Sequence, residues 1–444
     1  MERIHIAFFG PTNSGKSTLV NAIAGQQVSL VSAVPGTTTD PVRKPIELPG
    51  LGPCVLIDTA GVDDTGILGP ERLRLTLAVL DEADIAVEVL PMSQNPGHWE
   101  QNSPENAPNV PDFGTLASQA GIPLIRFARG ESVESLLQRI KEALPQEEER
   151  FLTGDLVKEG DTVLLVMPQD SEAPKGRLIL PQVQVLRELL DRGCIPHCCT
   201  PASLPAALAT LKELPALTIT DSQVFGLVNR ALPADAPLTS FSVLLAAAKG
   251  DIAAFVDGAR AIDRLKPGDR VLIAEACTHV PDTEDIGRVK IPALLRKRVE
   301  MPDQVGHDGV NPVGHDEGIQ SAAAGGFLDR EHFSASETKN QSSGASKMPD
   351  QVGHDDGRHP RLDRGSLLQI DIAAGNDFPE DLNRYSLIIH CGACVAGRQL
   401  VRSRIRKALR NGVPITNYGI ALAKLQGILD RIAIPGLQTR RQSS

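Results

Sequence analysis

Apolar residues recur along this chain in two rhythms that trade places. Residues 3–9 form a short apolar run that ends in a glycine-rich loop, and 17–24 carries its apolar positions at helical spacing. Residues 55–58 and 85–90 read as two further buried strands, and 132–144 as an amphipathic helix followed by a charged exit at 146–150. A second such pattern starts near residue 161. It predicts strands at 163–167 and 217–220, helices at 181–191, 223–231, 243–249 and 255–265, and a turn at Lys266-Pro-Gly-Asp269. A third predicts strands at 270–274, 368–372, 386–389 and 414–417, a basic helix at 401–411 and another helix at 421–432. Strands alternating with helices mark an α/β sheet, so the expectation is three α/β domains over 1–150, 151–265 and 266–444.

One stretch breaks the rhythm. Met-Pro-Asp-Gln-Val-Gly-His-Asp occurs at 301–308 and again at 348–355, and Val-Gly-His-Asp also at 313–316. The span is rich in Gly, Ser, Asp and His and poor in large apolar residues, too little buried surface to offset ordering entropy. Residues 301–362 are therefore expected to be a disordered insertion. Its histidines His307, His315 and His354 read as a solvated loop, with metal binding as the alternative.

Length and composition agree with this division. A chain of 444 residues suits about three domains. The formal charge of −10 and the absence of a long basic run disfavour nucleic acid as the main partner. Aromatic content of 3% disfavours stacking on single strands. No run approaches the ~18 apolar residues of a membrane span, and the N-terminus has no signal-peptide organisation. A cytoplasmic location is expected, where seven cysteines point to metal or redox chemistry more than to disulfides.

Gly10-Pro-Thr-Asn-Ser-Gly15-Lys16-Ser17 fits the full Walker A pattern, with a strand before it and a helix after it. Its glycines let successive N–H groups wrap phosphates. Lys16 would reach the β- and γ-phosphates and Ser17 would hold Mg²⁺, with Asn13, Ser14 and Thr18 lining the same loop. Asp58-Thr-Ala-Gly61 supplies a carboxylate near Mg²⁺ and a glycine for the γ-phosphate. Thr38, within Gly36-Thr-Thr-Thr-Asp40, is the threonine expected on Mg²⁺. A plain threonine-rich loop is the alternative. These elements resemble the translation-factor-like GTPases related to tRNA-modification and ribosome-assembly GTPases, which implies GTP, and K⁺ held with the help of Asn13. Two departures stand out. Val62 follows the Asp-Thr-Ala-Gly motif, where no glutamine is left to orient water. No Asn-Lys-x-Asp occurs downstream of Leu90, and 91–114 carries five prolines. Slow or absent turnover, weak guanine specificity and loss of a strand are expected.

At the other end stand Cys277-Thr-His279 and His390-Cys391-Gly-Ala-Cys394, each following a predicted strand. Thiolates suit iron or zinc. Three of them leave one position of a cluster open. From these residues alone an iron–sulfur cluster, a zinc site completed by His279 or His390, and core thiols all remain. Cys194, Cys198 and Cys199 beside His197 read as buried or incidental thiols, with a second metal site as the alternative, and Cys54 reads as core.

The CxH and HCxxC pair resembles the signature of the [FeFe]-hydrogenase maturation GTPase family, HydF. With 301–362 set aside, 48 residues separate His279 from His390, close to the family's spacing. Ile286-Gly-Arg-Val-Lys-Ile-Pro292, Asp377-Phe-Pro-Glu-Asp381, Gly412-Val-Pro-Ile-Thr-Asn-Tyr-Gly419 and Gly36-Thr-Thr-Thr-Asp-Pro41 also look like it. The resemblance implies an N-terminal P-loop GTPase-like domain, a dimerisation domain and a cluster domain. It further implies a [4Fe–4S] cluster on Cys277, Cys391 and Cys394, with His279 and His390 as exchangeable ligand or hydrogen-bonding neighbour. The implied role is a homodimeric scaffold that receives a diiron precursor, works with the radical-SAM maturases and delivers to the hydrogenase apoprotein. Two other readings stay open: a ribosome- or tRNA-modification-type GTPase with structural zinc, and a degenerate inactive paralogue.

Overall fold

The computed structural model describes residues 3–25, 41–61, 69–90, 112–128, 130–144, 151–169, 176, 178–276, 285–300, 368–375, 377–394 and 396–437. They form three sheets in chain order, each covered by helices.

The first sheet contains β1 (Ile4–Phe9), β2 (Val42–Leu48), β3 (Gly52–Asp58), β4 (Ile85–Val89) and β5 (Leu124–Phe127), in the order β2-β3-β1-β4-β5. All pairings are parallel except β2 with β3. Helices α1 (Lys16–Ala24), α2 (Gly69–Glu82), α3 (Phe113–Ala120) and α4 (Val133–Ala143) cover it. Strands β1, β3 and β4 are near-continuous apolar runs because both faces are buried. Phe8, Leu56 and Val87 pack toward Leu136 and Ile140 of α4, and Phe9, Ile57 and Ala86 toward Val79 of α2 and Phe113 of α3. Strand β2, absent from the sequence reading, alternates half-buried and exposed residues along the sheet edge. Pro45 is tolerated there because an edge strand has one side with no ladder to donate to. Helix α3 starts where Asp112 accepts from Gly114 N and Thr115 N at 2.9 and 3.1 Å.

The second sheet, order β7-β6-β8-β9, is all parallel. It holds β6 (Thr162–Val166), β7 (Ile195–Cys199), β8 (Leu217–Thr220) and β9 (Leu238–Ser240), with α5 (Leu180–Asp191), α6 (Leu204–Thr210), α7 (Phe225–Ala231) and α8 (Phe241–Lys249). Helix α8 is a core helix: Phe241, Val243, Leu244, Leu245 and Ala246 are buried.

The third sheet, order β11-β10-β12-β13, is also all parallel. Helix α9 (Ile252–Ala259) leads into β10 (Arg270–Glu275), α10 (Ile291–Glu300), β11 (Gln369–Ala374), β12 (Leu387–His390), α11 (Arg398–Arg410), β13 (Ile415–Asn417) and α12 (Tyr418–Leu425). Gly258 lets α9 cross β13 closely; a Cβ there would lie 1.9 Å from Ile415 O. One hydrophobic core joins the second and third sheets, running from Leu164, Phe225 and Val243 to Leu272, Ile388 and Ile415. The chain end returns to the second sheet, where Ile432 pairs with Leu238.

Helix α11 also docks on the first unit. Ser403 Oγ donates to Asp81 Oδ1 of α2 at 2.6 Å, and Lys407 pairs with the same carboxylate. Gln399, Arg406 and Arg410 donate to the carbonyls of Ala120 and Gln119 at the end of α3. Cations there satisfy orphan carbonyls and complement the negative end of the helix dipole.

Candidate nucleotide and metal sites

The nucleotide loop is built where β1 hands over to α1. Gly10 (φ 145°) passes so near β4 that a Cβ would lie 2.4 Å from Val89 O. Asn13 holds a left-handed φ of 61° and is exposed, and Gly15 (φ 99°) caps α1. Lys16 is buried and donates to Gly10 O at 2.9 Å and Pro11 O at 2.7 Å, so its ammonium lies over the loop. Ser17 Oγ donates to Asp58 Oδ2 at 2.6 Å. A serine at the loop joined to the carboxylate at the end of β3 is the pair that holds Mg²⁺ in such folds.

Thr59 Oγ1 donates to Phe8 O at 2.7 Å, tying the Asp-Thr-Ala-Gly segment to β1. Gly61 lies against the loop, since a Cβ there would be 2.8 Å from Thr12 Cα. Ser14 Oγ is buried and, among the described residues, has no hydrogen-bond partner. A phosphate oxygen would supply one, and the donor set fits a nucleotide with Mg²⁺. Thr18 is exposed on the first turn of α1. Thr38, Val62 and nearly all of the proline-rich stretch, 91–111, lie outside the described residues. After β5, Ala128 N donates to Glu131 Oε1 at 2.9 Å, and Arg139 pairs with Glu131 at 2.7 Å.

The cysteine loop sits at the carboxyl ends of β10 and β12, the usual place for ligands in open α/β sheets. These strands are adjacent and parallel, with Ala274 opposite His390. Cys391 N donates to Ala274 O at 2.9 Å. Cys391 Sγ accepts from Ala276 N at 3.1 Å and Ala393 N at 3.4 Å. The second bond requires a tight curl, and Ala393 adopts a left-handed φ of 49° to make it. Cys391 and Cys394 are half-buried. Two thiols on a curled loop, with peptide N–H groups directed at sulfur, fit a metal–sulfur centre.

Cys277 and His279 lie outside the described residues. Ala276, whose N–H reaches Cys391 Sγ, is the residue before Cys277. Among the described residues no group of three His, Cys, Asp or Glu side chains is placed to hold a metal ion.

His390 is buried and its pKa is pushed down to about 3 by desolvation, with the Arg404 charge adding to it. The ring is neutral. Arg404 can only donate, so Nε2 accepts from Arg404 Nη1 at 3.1 Å, and Nδ1 carries the proton toward Cys391 O at 2.8 Å. Arg404 also donates to Glu275 O at 3.1 Å and to Gly375 O. Lys249 Nζ donates to Ala393 O at 2.8 Å, Ala396 O at 2.9 Å and Cys394 O at 3.4 Å. Glu275, buried beside the site, is paired with Arg288 at 2.9 Å.

Neither Arg404 nor Lys249 is among the site residues expected from the sequence. The available signal was a cation at a core-facing position. Arg404 lies three residues after Val401 and four before Ala408, and Lys249 four after Leu245, all buried.

The remaining cysteines separate. Cys54 is buried and its thiol is pushed up to about 11, chiefly by desolvation. Cys194 is buried, Cys198 exposed and Cys199 half-buried. Cys198 and Cys199 are neighbours on β7, so their side chains point to opposite faces and do not converge on one ion.

Comparison with known proteins places each unit. Residues 152–250 match the hydrogen maturase F dimerization domain, and 253–311 with 346–435 match the hydrogen maturase F tetramerization domain. Residues 5–110 match the 50S ribosome-binding GTPase family. The tRNA modification GTPase MnmE of Thermus thermophilus is 33% identical over 199 residues, covering 41% of this chain and 40% of that protein. MnmE of Herminiimonas arsenicoxydans is 38% identical over 113 residues, 24% of each chain. The chain thus spans less than half the length of these curated relatives. Among solved structures, Aquifex aeolicus Era bound to GDP·AlF4⁻ is 18% identical, with a TM-score of 0.25, covering 48% of this chain and 99% of that one.

Proposed function

The chain belongs to the hydrogen maturase F family, and from that premise we propose that it is a scaffold that holds a [4Fe–4S] cluster and carries a diiron precursor to the [FeFe]-hydrogenase apoprotein. Its GTPase domain supplies a nucleotide-binding module. The two maturase segments together include both cysteine motifs, whereas the MnmE matches reach less than half of the chain. This coverage favours the maturase reading over a tRNA-modification GTPase with structural zinc.

The observation that carries the reading is the 3.1 Å bond from Ala276 N to Cys391 Sγ. It ties the strand end that leads directly into Cys277 to the loop bearing Cys391 and Cys394. In this proposal those three thiolates hold the cluster, which supplies an iron with one exchangeable position for cargo. The loop keeps two sulfurs in place through peptide N–H groups. His390 acts through its hydrogen bonds, because both ring nitrogens are already engaged. His279 is the proposed exchangeable ligand.

At the other end, Lys16, Ser17, Asp58 and Gly61 bind GTP and Mg²⁺, with Ser14 giving to a phosphate its hydroxyl, unpartnered among the described residues, and Thr18 completing the loop. Asn13 is proposed to help hold K⁺, and Thr38 to reach Mg²⁺. Threonine loops ordered by the γ-phosphate would then alter affinity for partners. With Val62 after the Asp-Thr-Ala-Gly motif, hydrolysis is slow.

The test is anaerobic reconstitution with iron and sulfide. The wild-type chain should take up about four irons with a [4Fe–4S] spectrum, exclude zinc, and activate hydrogenase apoprotein together with the radical-SAM maturases. Cys391→Ser should lose the cluster spectrum. A Cys391→Ser variant that keeps it, or a wild-type chain purified anaerobically with zinc alone, defeats the proposal.

A further inference from the structure

The cysteine loop is held from outside its own sheet. Lys249 is the last residue of α8, in the segment that matches the dimerization domain, and its side chain crosses to the loop after β12. It is 5% exposed. Its ammonium donates to the carbonyls of Ala393, Cys394 and Ala396. Three carbonyl oxygens drawn from four consecutive residues converge on one point only if the chain curls around it. The left-handed Ala393 is the residue that makes the curl. The same curl directs Ala393 N at Cys391 Sγ. The loop therefore has a cation at its centre and a sulfur on its rim.

We infer that Lys249 is a positioning residue for the metal-binding loop, through which the dimerization unit sets both the shape of the ligand set and the charge beside it. This rests on the proposed cluster for its second half only. Without the ammonium, three carbonyl oxygens lose their common donor in a buried setting, which the loop escapes only by uncurling. An ammonium fixed next to an anionic cluster favours the more negative, reduced form, and its removal makes reduction harder.

Lys249→Met and Lys249→Arg in the full-length chain test both halves. In the metal-free protein, Lys249→Met should raise amide hydrogen exchange across 391–397 by at least about tenfold, the equivalent of one lost hydrogen bond of ordinary strength, while exchange in β1 and α1 stays at the wild-type rate. After reconstitution, a chelator should strip iron from Lys249→Met at least about tenfold faster. The midpoint potential of its cluster should move to more negative values. Lys249→Arg keeps the charge and should restore the potential more fully than the retention. If Lys249→Met does not fold, Lys249→Gln, which keeps an N–H donor group without the charge, gives the same two readouts. Wild-type exchange across 391–397 in the folded variant overturns the inference. So does an unchanged potential in a variant that holds its cluster. If the wild-type chain itself takes no cluster, the carrier proposal fails, and the exchange measurement alone decides the positioning role.

Discussion

Arg404 is 3% exposed, and its guanidinium serves three strand ends at once: Glu275 O on β10, Gly375 O just past β11 and His390 Nε2 on β12. It also lies over the Phe378 ring, 5.0 Å from its centroid. Arg404→Met keeps the stem and removes every donor. It should cost about 3–5 kcal/mol in urea unfolding, the cost of breaking a buried charged network. Arg404→Lys should recover less than half, since a point charge cannot reproduce a planar fork. A second position shows why one of the family-like stretches matters physically. A Cβ on Gly287 would lie 1.9 Å from Tyr418 Oη and 3.1 Å from Glu275 Oε1. Gly287→Ala should lower stability by about 1–3 kcal/mol through overpacking, read as a thermal shift. In the sequence only its core-facing spacing marks Arg404, and nothing marks Gly287. An arginine in a basic helix reads as solvated, and a glycine in Ile-Gly-Arg-Val gives no hint of the tyrosine 131 residues later that fills its space.

At the scale of elements, α11 is the piece with two masters. Its buried face reaches the strand ends beside Cys391, and its basic face grips α2 and the end of α3. Helix α2 follows the Asp-Thr-Ala-Gly segment, so α11 lies between the two candidate sites. A double-mutant cycle on Asp81→Ala and Lys407→Ala should give a coupling of about 0.5–1 kcal/mol that shrinks as salt rises, the range for a partly exposed ion pair. Zero coupling at low salt would mean that the helix rests there through Ser403 and the α3 contacts alone. The sequence reading placed β1, β3, β4 and all four strands of the third sheet because each is a short apolar run with glycine or proline nearby. It missed β2, β5, β7, β9, α2, α3, α6 and α10. β2 and β7 are sheet edges with alternating or polar composition, which leaves no apolar run to find. Helices α2 and α10 are charged enough that their buried stripe is narrow. Strand β2 is held by its hairpin pairing with β3, and β7 by its parallel pairing with β6 across an intervening helix.

At the scale of the molecule, the described residues leave an apolar surface on one unit. Leu178, Leu180, Val183, Leu190 and Ile195, each at least 42% exposed, fall within eighteen residues. Leu180, Val183 and Leu190 lie at i, i+3 and i+10 on α5, a single helical stripe, while Val185 and Leu189 face the core. Ile195 opens β7, which among the described residues pairs only with β6 and so leaves its other edge unpaired. An exposed edge strand next to an apolar helix stripe invites another chain to pair with it. Residues 152–250, which match a dimerization domain, contain all five side chains. A second copy of this chain is therefore the occupant that fits. Ile195→Lys puts a charge on that edge without touching the core. It should shift sedimentation at micromolar concentration toward the smaller species, while Leu214→Lys, at a position 54% exposed outside the stripe, should leave assembly as it is. If Ile195→Lys assembles like the wild type, the contact lies elsewhere on the unit. Because Lys249 reaches the cysteine loop from this same unit, the pair of variants also asks whether losing the partner loosens the loop. Hydrogen exchange across 391–397 in Ile195→Lys should stay at the wild-type rate, since α8 meets α5 on its core face, at Val185 and Leu189, and not on the exposed stripe.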